Sequence, residues 1–378
     1  MIYLDYAAAT PMREEAIDIY TEVARNFYGN PSSLHDTGTK AATLLETCRS
    51  ELAGLLGGVK EGVYFTSGGS ESNILAIRSL LNGAGKKGKH LITTKIEHSS
   101  VHHLFQQLEK EGYSVTYLSV NVEGLIDINE LTLAITPQTL LASIHHANSE
   151  IGTIQPLQQI GEILHEHGVL FHADCVQTFG KVPIHVMTSH IDSLSISSHK
   201  LYGPKGVGAC YINPRIKWLP YYEGTSHEKG FRPGTVNVPG IASFLRAAQL
   251  IHEQLEVESK RFLALREKFT DGLQKRGLPI CVEGHLTSCL PHILGLTIEG
   301  IEGQYTMLEC NRYGLAISTG SACSVGKQAP SKTMIAIGKT PQTAKQFIRL
   351  SFGKWTTESD IDKSLDVFQN IITAFHTK

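Results

Sequence analysis

Lys200 stands in a sequence setting that suits covalent chemistry. Ser197 and His199 lie close beside it, an apolar stretch precedes them, and the glycine-rich run 201–208 follows. A lysine on such a turn can form a Schiff base with an aldehyde cofactor. Most lysines are only solvated charges, and that alternative stays open on the local sequence, although this is an unusual place for a surface lysine.

A glycine-rich turn occupies residues 66–73, between a predicted strand and a predicted helix. Glycines such as Gly69 let the backbone approach a ligand closely, and free N–H groups at a helix start bind phosphate. Ser70 can add its hydroxyl group. The alternative is an ordinary turn whose serine caps the helix.

Two charged residues belong to apolar, strand-like runs. Asp174 follows one of them, where its carboxylate can pair with a protonated pyridine nitrogen and keep the ring an electron sink. Arg349 lies inside the run 347–353, where its guanidinium needs a partner such as a substrate carboxylate. A helix cap for Asp174 and an internal salt bridge for Arg349 are the alternatives.

Cys323 lies in the middle of a small and polar stretch, residues 318–324. A thiol exposed on a loop is a candidate nucleophile, because reactivity follows thiolate character and access. The alternative is a buried structural cysteine, the usual environment of this residue. Serine, threonine and glycine on both sides argue against burial.

Composition excludes several other classes of protein. The 378 residues carry a formal net charge of −2, so we expect no nucleic-acid binding, and the scattered histidines lack metal-ligand spacing. Residues 1–6 show no signal-peptide pattern, and no apolar run is long enough to span a bilayer. The seven cysteines are odd in number and include no C-x-x-C pair, so we expect reduced thiols and a cytoplasmic location.

The elements that must position these residues are alternating strands and helices. Strands are predicted at 63–65, 90–94, 115–118, 140–144, 169–172, 194–196 and 209–212. Helical segments lie between several of them, and apolar residues at helical spacing at 44–56 predict another helix before the first strand. Such alternation predicts a mostly parallel sheet with helices on both faces. In these sheets, ligands bind at the carboxyl ends of the strands, where most of the selected residues lie.

The character of the chain changes after about residue 240. A long, charged helical stretch runs from Val238 towards Arg276, and a second α/β region begins near Pro279. We predict a large domain at 14–258. A small domain at 259–378, joined by the N-terminal segment 1–13, is predicted to carry the Cys323 loop.

Together and in this order, the motifs resemble the cysteine desulfurases of the NifS/IscS type, within the class-V aminotransferase family. The resemblance covers essentially the whole chain. It rests on the segments 3–11, 29–35, 66–73, 96–98, 150–155, 174–177, 197–200, 232–235 and 320–323, and on Arg349. It implies the α/β fold type I of pyridoxal-phosphate-dependent transferases, with a seven-stranded, mostly parallel sheet and a smaller C-terminal α/β domain.

The resemblance also implies a role for each matching position. Lys200 is expected to hold pyridoxal 5'-phosphate and move the Cα proton, His98 to stack on its ring and act in acid–base steps, and Cys323 to attack the substrate sulfur. Arg349 and Asn148 are expected to bind L-cysteine. The remaining cofactor contacts are expected from Gly69, Ser70, Ser149, Asp174, Gln177, Ser197, His199 and, from a second subunit, Thr235.

The implied reaction removes sulfur from L-cysteine, releases L-alanine and leaves a persulfide on Cys323. An acceptor such as an iron–sulfur scaffold protein then takes the sulfur. The implied assembly is a homodimer with no resident metal, although Cys323 can transiently ligate an iron–sulfur cluster. Two other possibilities remain: a related class-V enzyme, such as an aminotransferase or selenocysteine lyase, and a non-catalytic, cofactor-binding scaffold for sulfur transfer.

Three positions depart from the usual pattern of the family. Ser149 replaces an asparagine that touches cofactor and substrate, Lys229 replaces an arginine, and Cys175 replaces an alanine. A hydroxyl at Ser149 can still donate a hydrogen bond, directly or through water. We interpret these departures as signs of a subgroup with its own sulfur acceptor.

Overall fold

The computed structural model describes residues 1–85, 88–320 and 330–377. Within these ranges, a seven-stranded sheet forms the centre of the larger part of the molecule. Its strands are β2 (Val63–Thr66), β3 (His90–Thr94), β4 (Ser114–Leu118), β5 (Thr139–Ser143), β6 (Leu170–Asp174), β7 (Ser193–Ser197) and β8 (Gly208–Ile212). Each of the seven predicted strands is present, with bounds that differ by one or two residues.

The order of the strands across this sheet is β2-β8-β7-β6-β5-β3-β4. Strand β8 runs antiparallel to both of its neighbours, and the other pairs are parallel. The carboxyl ends of β2, β3, β5, β6 and β7 therefore lie along one edge. The predicted fold class, a mostly parallel α/β sheet, is confirmed.

Helices cover the sheet because each presents an apolar stripe to it. In α2, for example, Leu45, Cys48 and Leu52 recur at three- and four-residue intervals and are buried in the main core. The helices of this region are α1 (Glu14–Asn26), α2 (Asp36–Leu55), α3 (Gly69–Gly83), α4 (Ser99–Lys110), α5 (Ile128–Ala134), α6 (Leu157–Glu166) and α7 (Val238–Glu253). Short 3₁₀ turns lie at Lys60–Gly62, Ser198–Lys200 and His227–Gly230.

The long helix predicted from Val238 towards Arg276 is wrong as a single element. Helix α7 ends at Glu253, and α8 (Leu255–Lys275) begins after Gln254, whose backbone leaves the helical region at φ −106° and ψ 2°. The two halves serve different cores: α7 is buried in the main core, and α8 packs on the second one. A straight helix could not face both.

The second core surrounds an antiparallel sheet of order β12-β10-β9 and a parallel pair of β1 with β11. Leu4 also belongs to this core, which joins the N-terminus to the C-terminal region. We keep the division into 14–258 and 259–378 with 1–13 as a proposal. The elements are β1 (Ile2–Tyr3), β9 (Ile280–Glu283), β10 (Ile293–Ile298), α9 (Gly303–Arg312), β11 (Leu315–Ala316), α10 (Lys332–Ala336), α11 (Pro341–Lys345), β12 (Phe347–Ser351) and α12 (Glu358–His376).

Across the described residues, none of the helices combines the length and the apolar character that a membrane span requires.

Candidate active site

Lys200 lies in the 3₁₀ turn directly after β7, so its position is fixed by a central strand of the sheet. Its Nζ atom donates hydrogen bonds to the carbonyl oxygens of Ala7, at 2.5 Å, and Ala8, at 2.8 Å. The pKa of this amine is lowered to about 7. Burial is the main cause, the charge of Arg349 adds to it, and the charge of Asp5 partly opposes the shift. A large fraction of the amine is therefore neutral, and nucleophilic, near neutral pH.

The chain's N-terminal segment closes over this lysine. The backbone of Thr10 and its hydroxyl both donate to the carbonyl oxygen of His199, at 2.9 Å, and Gln177 Nε2 donates to the carbonyl oxygen of Ala7 at 3.0 Å. The Ala7 carbonyl is thus shared by Gln177 and Lys200. These contacts bring Gln177 within one bridging atom of the lysine, across a gap of 170 residues in sequence for the Gln177–Ala7 bond.

Asp174 ends β6 on the neighbouring strand and is buried. Its Oδ1 atom accepts from the backbone N–H of Val176 at 3.0 Å, and Oδ2 accepts from Asn73 Nδ2 at 2.7 Å. The charge of Asp174 reaches Lys200 and raises its pKa against the effect of burial. The carboxylate is therefore held in one orientation at the edge that also carries the lysine.

The predicted phosphate turn follows β2 at the same edge. Helix α3 begins at Gly69, and the first N–H groups of a helix have no intrahelical acceptor. Gly68 has φ +154°, which favours glycine, and a Cβ atom on Gly208 of β8 would lie 2.6 Å from its Cα atom. Ser70 is exposed, so its hydroxyl is available to a ligand. The turn can lie this close to β8 only because residue 208 is a glycine.

His98 caps helix α4 after β3, and its ring is exposed. Its Nδ1 atom lies 2.8 Å from Ser100 Oγ and 3.2 Å from the Ser100 backbone nitrogen. Behind it, Glu97 Oε1 lies 3.3 Å from His145 Nδ1. Burial alone would lower the pKa of His145, but Glu97 and Asp174 outweigh it and raise the pKa above its ordinary value.

Ser197 and His199 contact each other beside Lys200, with Ser197 Oγ 2.8 Å from His199 Nδ1. Burial, and then the charges of Lys200 and Lys205, lower the pKa of His199 to about 4. The imidazole is therefore neutral at neutral pH. A neutral ring beside a serine hydroxyl offers hydrogen bonds to an anion without adding a proton-transfer group.

Arg349 enters from β12 of the second core and is buried. Its Nη2 atom donates to Asp5 Oδ1 at 2.7 Å and its Nη1 atom to the carbonyl oxygen of Ser149 at 2.8 Å. Its Nε atom finds no acceptor among the described residues. A guanidinium with a free donor and one carboxylate partner can take a second carboxylate, from a ligand.

The amide of Asn148 is hydrogen-bonded to neighbouring protein groups at both its oxygen and its nitrogen. Its oxygen accepts from the backbone N–H groups of Glu150, at 2.8 Å, and Ile151, at 3.0 Å, and Nδ2 donates to the Ile96 carbonyl at 3.2 Å. These contacts hold the 148–151 turn against the segment before His98. Substrate binding by Asn148, and cofactor contact by Ser149, stay predictions.

Thr235 is exposed, and its contact with the phosphate of a second subunit stays a prediction. Its segment is anchored to the phosphate turn of the same chain: Arg232 Nε donates to Glu71 Oε2 at 2.7 Å, and the buried Glu228 carboxylate accepts from the backbone N–H of Phe65 at 2.7 Å. Lys229, one of the departures from the family pattern, has φ +56° and is exposed.

Cys323 lies outside the described residues, so its role stays a prediction. The other six cysteines are free thiols. Cys175 is fully buried, and burial together with Asp174 raises its pKa, which makes it unreactive. Its small side chain fills space in the main core.

Sequence reasoning missed several residues that the fold brings to the site. Asp5 carries no predicted role, yet it pairs with Arg349, 344 positions away. Asn73, Ser100 and His172 also carry no predicted role. The available signal was weak: Asn73 ends the glycine-rich turn motif, and His172 shares a strand with Asp174 at a spacing of two, which places both on one face.

Two groups of residues therefore meet at Lys200. The strand-end group follows the strands of the large sheet and comprises Gly69, His98, Asp174, Ser197 and Lys200. The cross-chain group, named for its spread along this one polypeptide, is assembled from segments distant in sequence and comprises Asp5, Ala7, Ser149 and Arg349.

Known proteins resemble this chain in sequence over nearly their full lengths. The NifS relative of Bacillus subtilis strain 168, named for cysteine desulfurase activity, is 52% identical over 97% of this chain and 94% of its own. The cysteine desulfurase IscS of Dictyoglomus turgidum is 40% identical over 100% of this chain and 95% of its own.

Solved structures show the same fold. A NifS-like protein superimposes with a TM-score of 0.92 at 32% identity, covering 98% of this chain and 99% of its own. A structure of SspA in complex with cysteine gives a TM-score of 0.81 at 32% identity, over 94% and 100% of the two chains. The model of the aminotransferase class-V family matches residues 2–363. The chain belongs to the aminotransferase class-V family.

Proposed function

We propose that this chain is a cysteine desulfurase, which uses pyridoxal 5'-phosphate to convert L-cysteine to L-alanine and retains the sulfur as a persulfide on Cys323. The relatives named for this activity match it over nearly all of its length, which supports the proposal. The similarity to SspA in complex with cysteine supports the same substrate.

One observation carries the proposal: a lysine amine whose pKa is lowered to about 7 follows β7 at the sheet edge where the buried Asp174 ends the neighbouring strand β6. The charge of Asp174 raises the pKa of this amine, and the charge of Arg349 lowers it. A Schiff-base lysine, a partner for a pyridine nitrogen and a partner for an amino-acid carboxylate are the three groups that such an enzyme requires.

The residues present fit pyridoxal phosphate. The phosphate turn lies against β8, where a Cβ atom on Gly208 would meet the Gly68 Cα atom at 2.6 Å, and the first N–H groups of α3 have no intrahelical acceptor. Asp174 would face the ring nitrogen, His98 one face of the ring and Gln177 its phenolic oxygen, with Ser70, Ser197 and His199 around the phosphate. When bound, the cofactor withdraws electrons from the Cα atom of the attached amino acid.

The chain's own side chains would perform the remaining work. Arg349 would bind the carboxylate of L-cysteine, using the Nε donor that has no acceptor in the described structure. The Lys200 amine would take the Cα proton and deliver it again to the product. Cys323 would attack the substrate sulfur, so that a Cys323 S–S bond forms and the Cβ–S bond breaks. The electron pair of the broken bond stays with Cβ, which takes up a thiol proton, and the products are alanine and a persulfide on Cys323.

We further propose a sulfur acceptor, an assembly, a location and a subgroup for this chain. The sulfur acceptor is a protein such as an iron–sulfur scaffold. The assembly is a homodimer in which Thr235, exposed here, reaches the partner's phosphate site. The location is the cytoplasm, and Lys229 and Ser149 mark a subgroup with its own acceptor.

The test is to supply L-cysteine and a thiol reductant to the purified protein loaded with cofactor, and to quantify alanine and sulfide. Equal amounts of both, lost in Lys200→Ala and retained in Lys205→Ala on the same turn, are expected. Alanine from pyruvate and an amino donor, with no sulfide from cysteine, would instead identify an aminotransferase. Release of selenium from selenocysteine alone would identify a lyase.

A further inference from the structure

Asn73 occupies the centre of a buried hydrogen-bond chain beneath the candidate site. It lies on α3, has no exposed surface, and its amide makes three bonds. Nδ2 donates to Asp174 Oδ2 at 2.7 Å and to Ser100 Oγ at 3.0 Å, and Oδ1 lies 3.1 Å from His172 Nε2. Both amide hydrogens and the amide oxygen are therefore in use.

The direction of these bonds follows from Asp174. Its carboxylate oxygens only accept, so Nδ2 of Asn73 must face Asp174, and Oδ1 then faces Nε2 of the buried His172 ring. Since an amide oxygen only accepts, the His172 hydrogen is on Nε2, and Nδ1 accepts from Ser193 Oγ, 2.6 Å away. Burial lowers the pKa of His172 to about 3, in agreement with a neutral ring carrying one hydrogen.

Ser100 extends the chain to His98. Its hydroxyl oxygen accepts an Asn73 hydrogen, so its own hydrogen is left for His98 Nδ1, 2.8 Å away. The Ser100 backbone N–H points at the same nitrogen. Nδ1 is then the acceptor nitrogen of His98, and a neutral ring carries its hydrogen on Nε2. One asparagine is thus bonded directly to Asp174 and, through one hydroxyl, to His98.

We propose that Asn73 is a positioning residue of the proposed desulfurase, which orients Asp174 and the His98 ring through two branches of one hydrogen-bond chain. The inference rests on the proposed function, because Asp174 and His98 are the groups expected at the ring nitrogen and ring face. Asp174 needs a fixed carboxylate with a lone pair left for the ring. A carboxylate accepts about four hydrogen bonds, and two are taken here.

The two branches can be cut separately. Asn73→Ala removes both, Ser100→Ala removes only the His98 branch, and Ser79→Ala is the control, a buried serine on the same helix whose hydroxyl has no partner in the described structure. The readouts are cofactor affinity of the apoprotein, by titration, and kcat and KM for L-cysteine.

We expect Asn73→Ala to weaken cofactor affinity about 10- to 100-fold, the range typical of groups that orient ligand-binding side chains, and to lower kcat. Ser100→Ala should lower kcat and leave cofactor affinity as in Ser79→Ala. Neither variant should change KM, because neither residue contacts the Arg349 region. If Asn73→Ala matches Ser79→Ala in cofactor affinity, or Ser100→Ala matches it in kcat, the inference is wrong.

If Asn73→Ala does not fold, Asn73→Leu replaces it. Leucine branches at the same atom as asparagine and has no hydrogen-bonding group, so it cuts both branches without leaving a cavity. Weaker cofactor binding than in Ser79→Ala is again expected, and equal binding overturns the inference. A wild-type protein that takes up no cofactor would instead overturn the proposed function itself, so the two failures are distinct.

Discussion

The strand-end group and the cross-chain group differ in how the chain assembles them. The strand-end residues follow β2, β3, β6 and β7 at one edge of a single sheet, where Asp174 is held by Asn73 of α3 and Ser197 by His199. The cross-chain residues Asp5 and Arg349 are 344 positions apart and meet through a salt bridge of 2.7 Å. One group is built by the fold of one sheet, the other by the meeting of the N-terminal segment, the 148–151 turn and β12.

This difference separates the proposed tasks. The strand-end group would hold a resident cofactor, which favours a rigid frame of buried hydrogen bonds. The cross-chain group would bind and release a substrate. Its guanidinium keeps one carboxylate partner and one free donor. Lys200 belongs to the first group and donates to Ala7 of the second, so the two tasks meet at its amine.

The largest effect is expected at that meeting point. Lys200→Ala removes both the attachment point and the proposed base, and we expect turnover of L-cysteine to fall by at least about 10³-fold. Lys205→Ala, an exposed lysine of the same turn, is the control. Alanine formation measures both. Comparable activity in the two variants would break the assignment of Lys200.

A change in the cross-chain group should affect substrate binding and spare cofactor binding. Arg349→Lys keeps the charge but loses the fork of donors, so KM for L-cysteine should rise about 10- to 100-fold, as for the loss of one charged hydrogen bond. Cofactor affinity, titrated in the same samples, should stay near the wild-type value. A loss of cofactor affinity with unchanged KM would reverse the roles of the two groups.

A steric change beside the strand-end group should instead affect cofactor binding and spare substrate binding. An added methyl group at Gly208 approaches the Gly68 Cα atom at 2.6 Å and the Ile196 carbonyl at 2.7 Å, both backbone atoms. We expect Gly208→Ala to cost about 1–3 kcal/mol of unfolding free energy and to weaken cofactor affinity. Gly54→Ala, on helix α2 with open space around it, should be neutral or slightly stabilising. Denaturant unfolding compares the two.

The smallest effect concerns the pH dependence of cofactor capture. Only the neutral Lys200 amine reacts with an aldehyde, so capture by the apoprotein should accelerate as pH rises through about 7, the lowered pKa of this lysine. The Asp5 carboxylate raises that pKa, so Asp5→Asn should move the midpoint to lower pH, by less than about one unit. The exposed Asp18→Asn is the control. A shift to higher pH would contradict the placement of Asp5 beside the lysine.

The same contrast explains what the sequence could predict. The seven strands and the strand-end residues were predictable because periodicity locates a strand, and ligand residues follow strand ends. The Asp5–Arg349 pair was not, since nothing local to either residue specifies the other. The break at Gln254 was missed because helical spacing continues on both sides, and only the packing on two different cores requires it.

Asn73 shows a third case. Its sequence position beside a glycine-rich turn indicates a helix start and nothing more. Its role emerges from the distances to Asp174, Ser100 and His172, which come from two other elements, β6 and α4. Buried hydrogen-bond chains of this kind depend on side-chain direction, which neither composition nor periodicity contains.

The most direct test of the proposed function is the mass of the intact protein after one equivalent of L-cysteine, without reductant. We expect the wild type to gain one sulfur atom on the peptide that contains Cys323 and to release one alanine per chain, with neither event in Lys200→Ala. Cys323→Ala should keep its cofactor and gain no sulfur. An unchanged mass for the wild type, or sulfur carried on Cys281 in place of Cys323, would contradict the account.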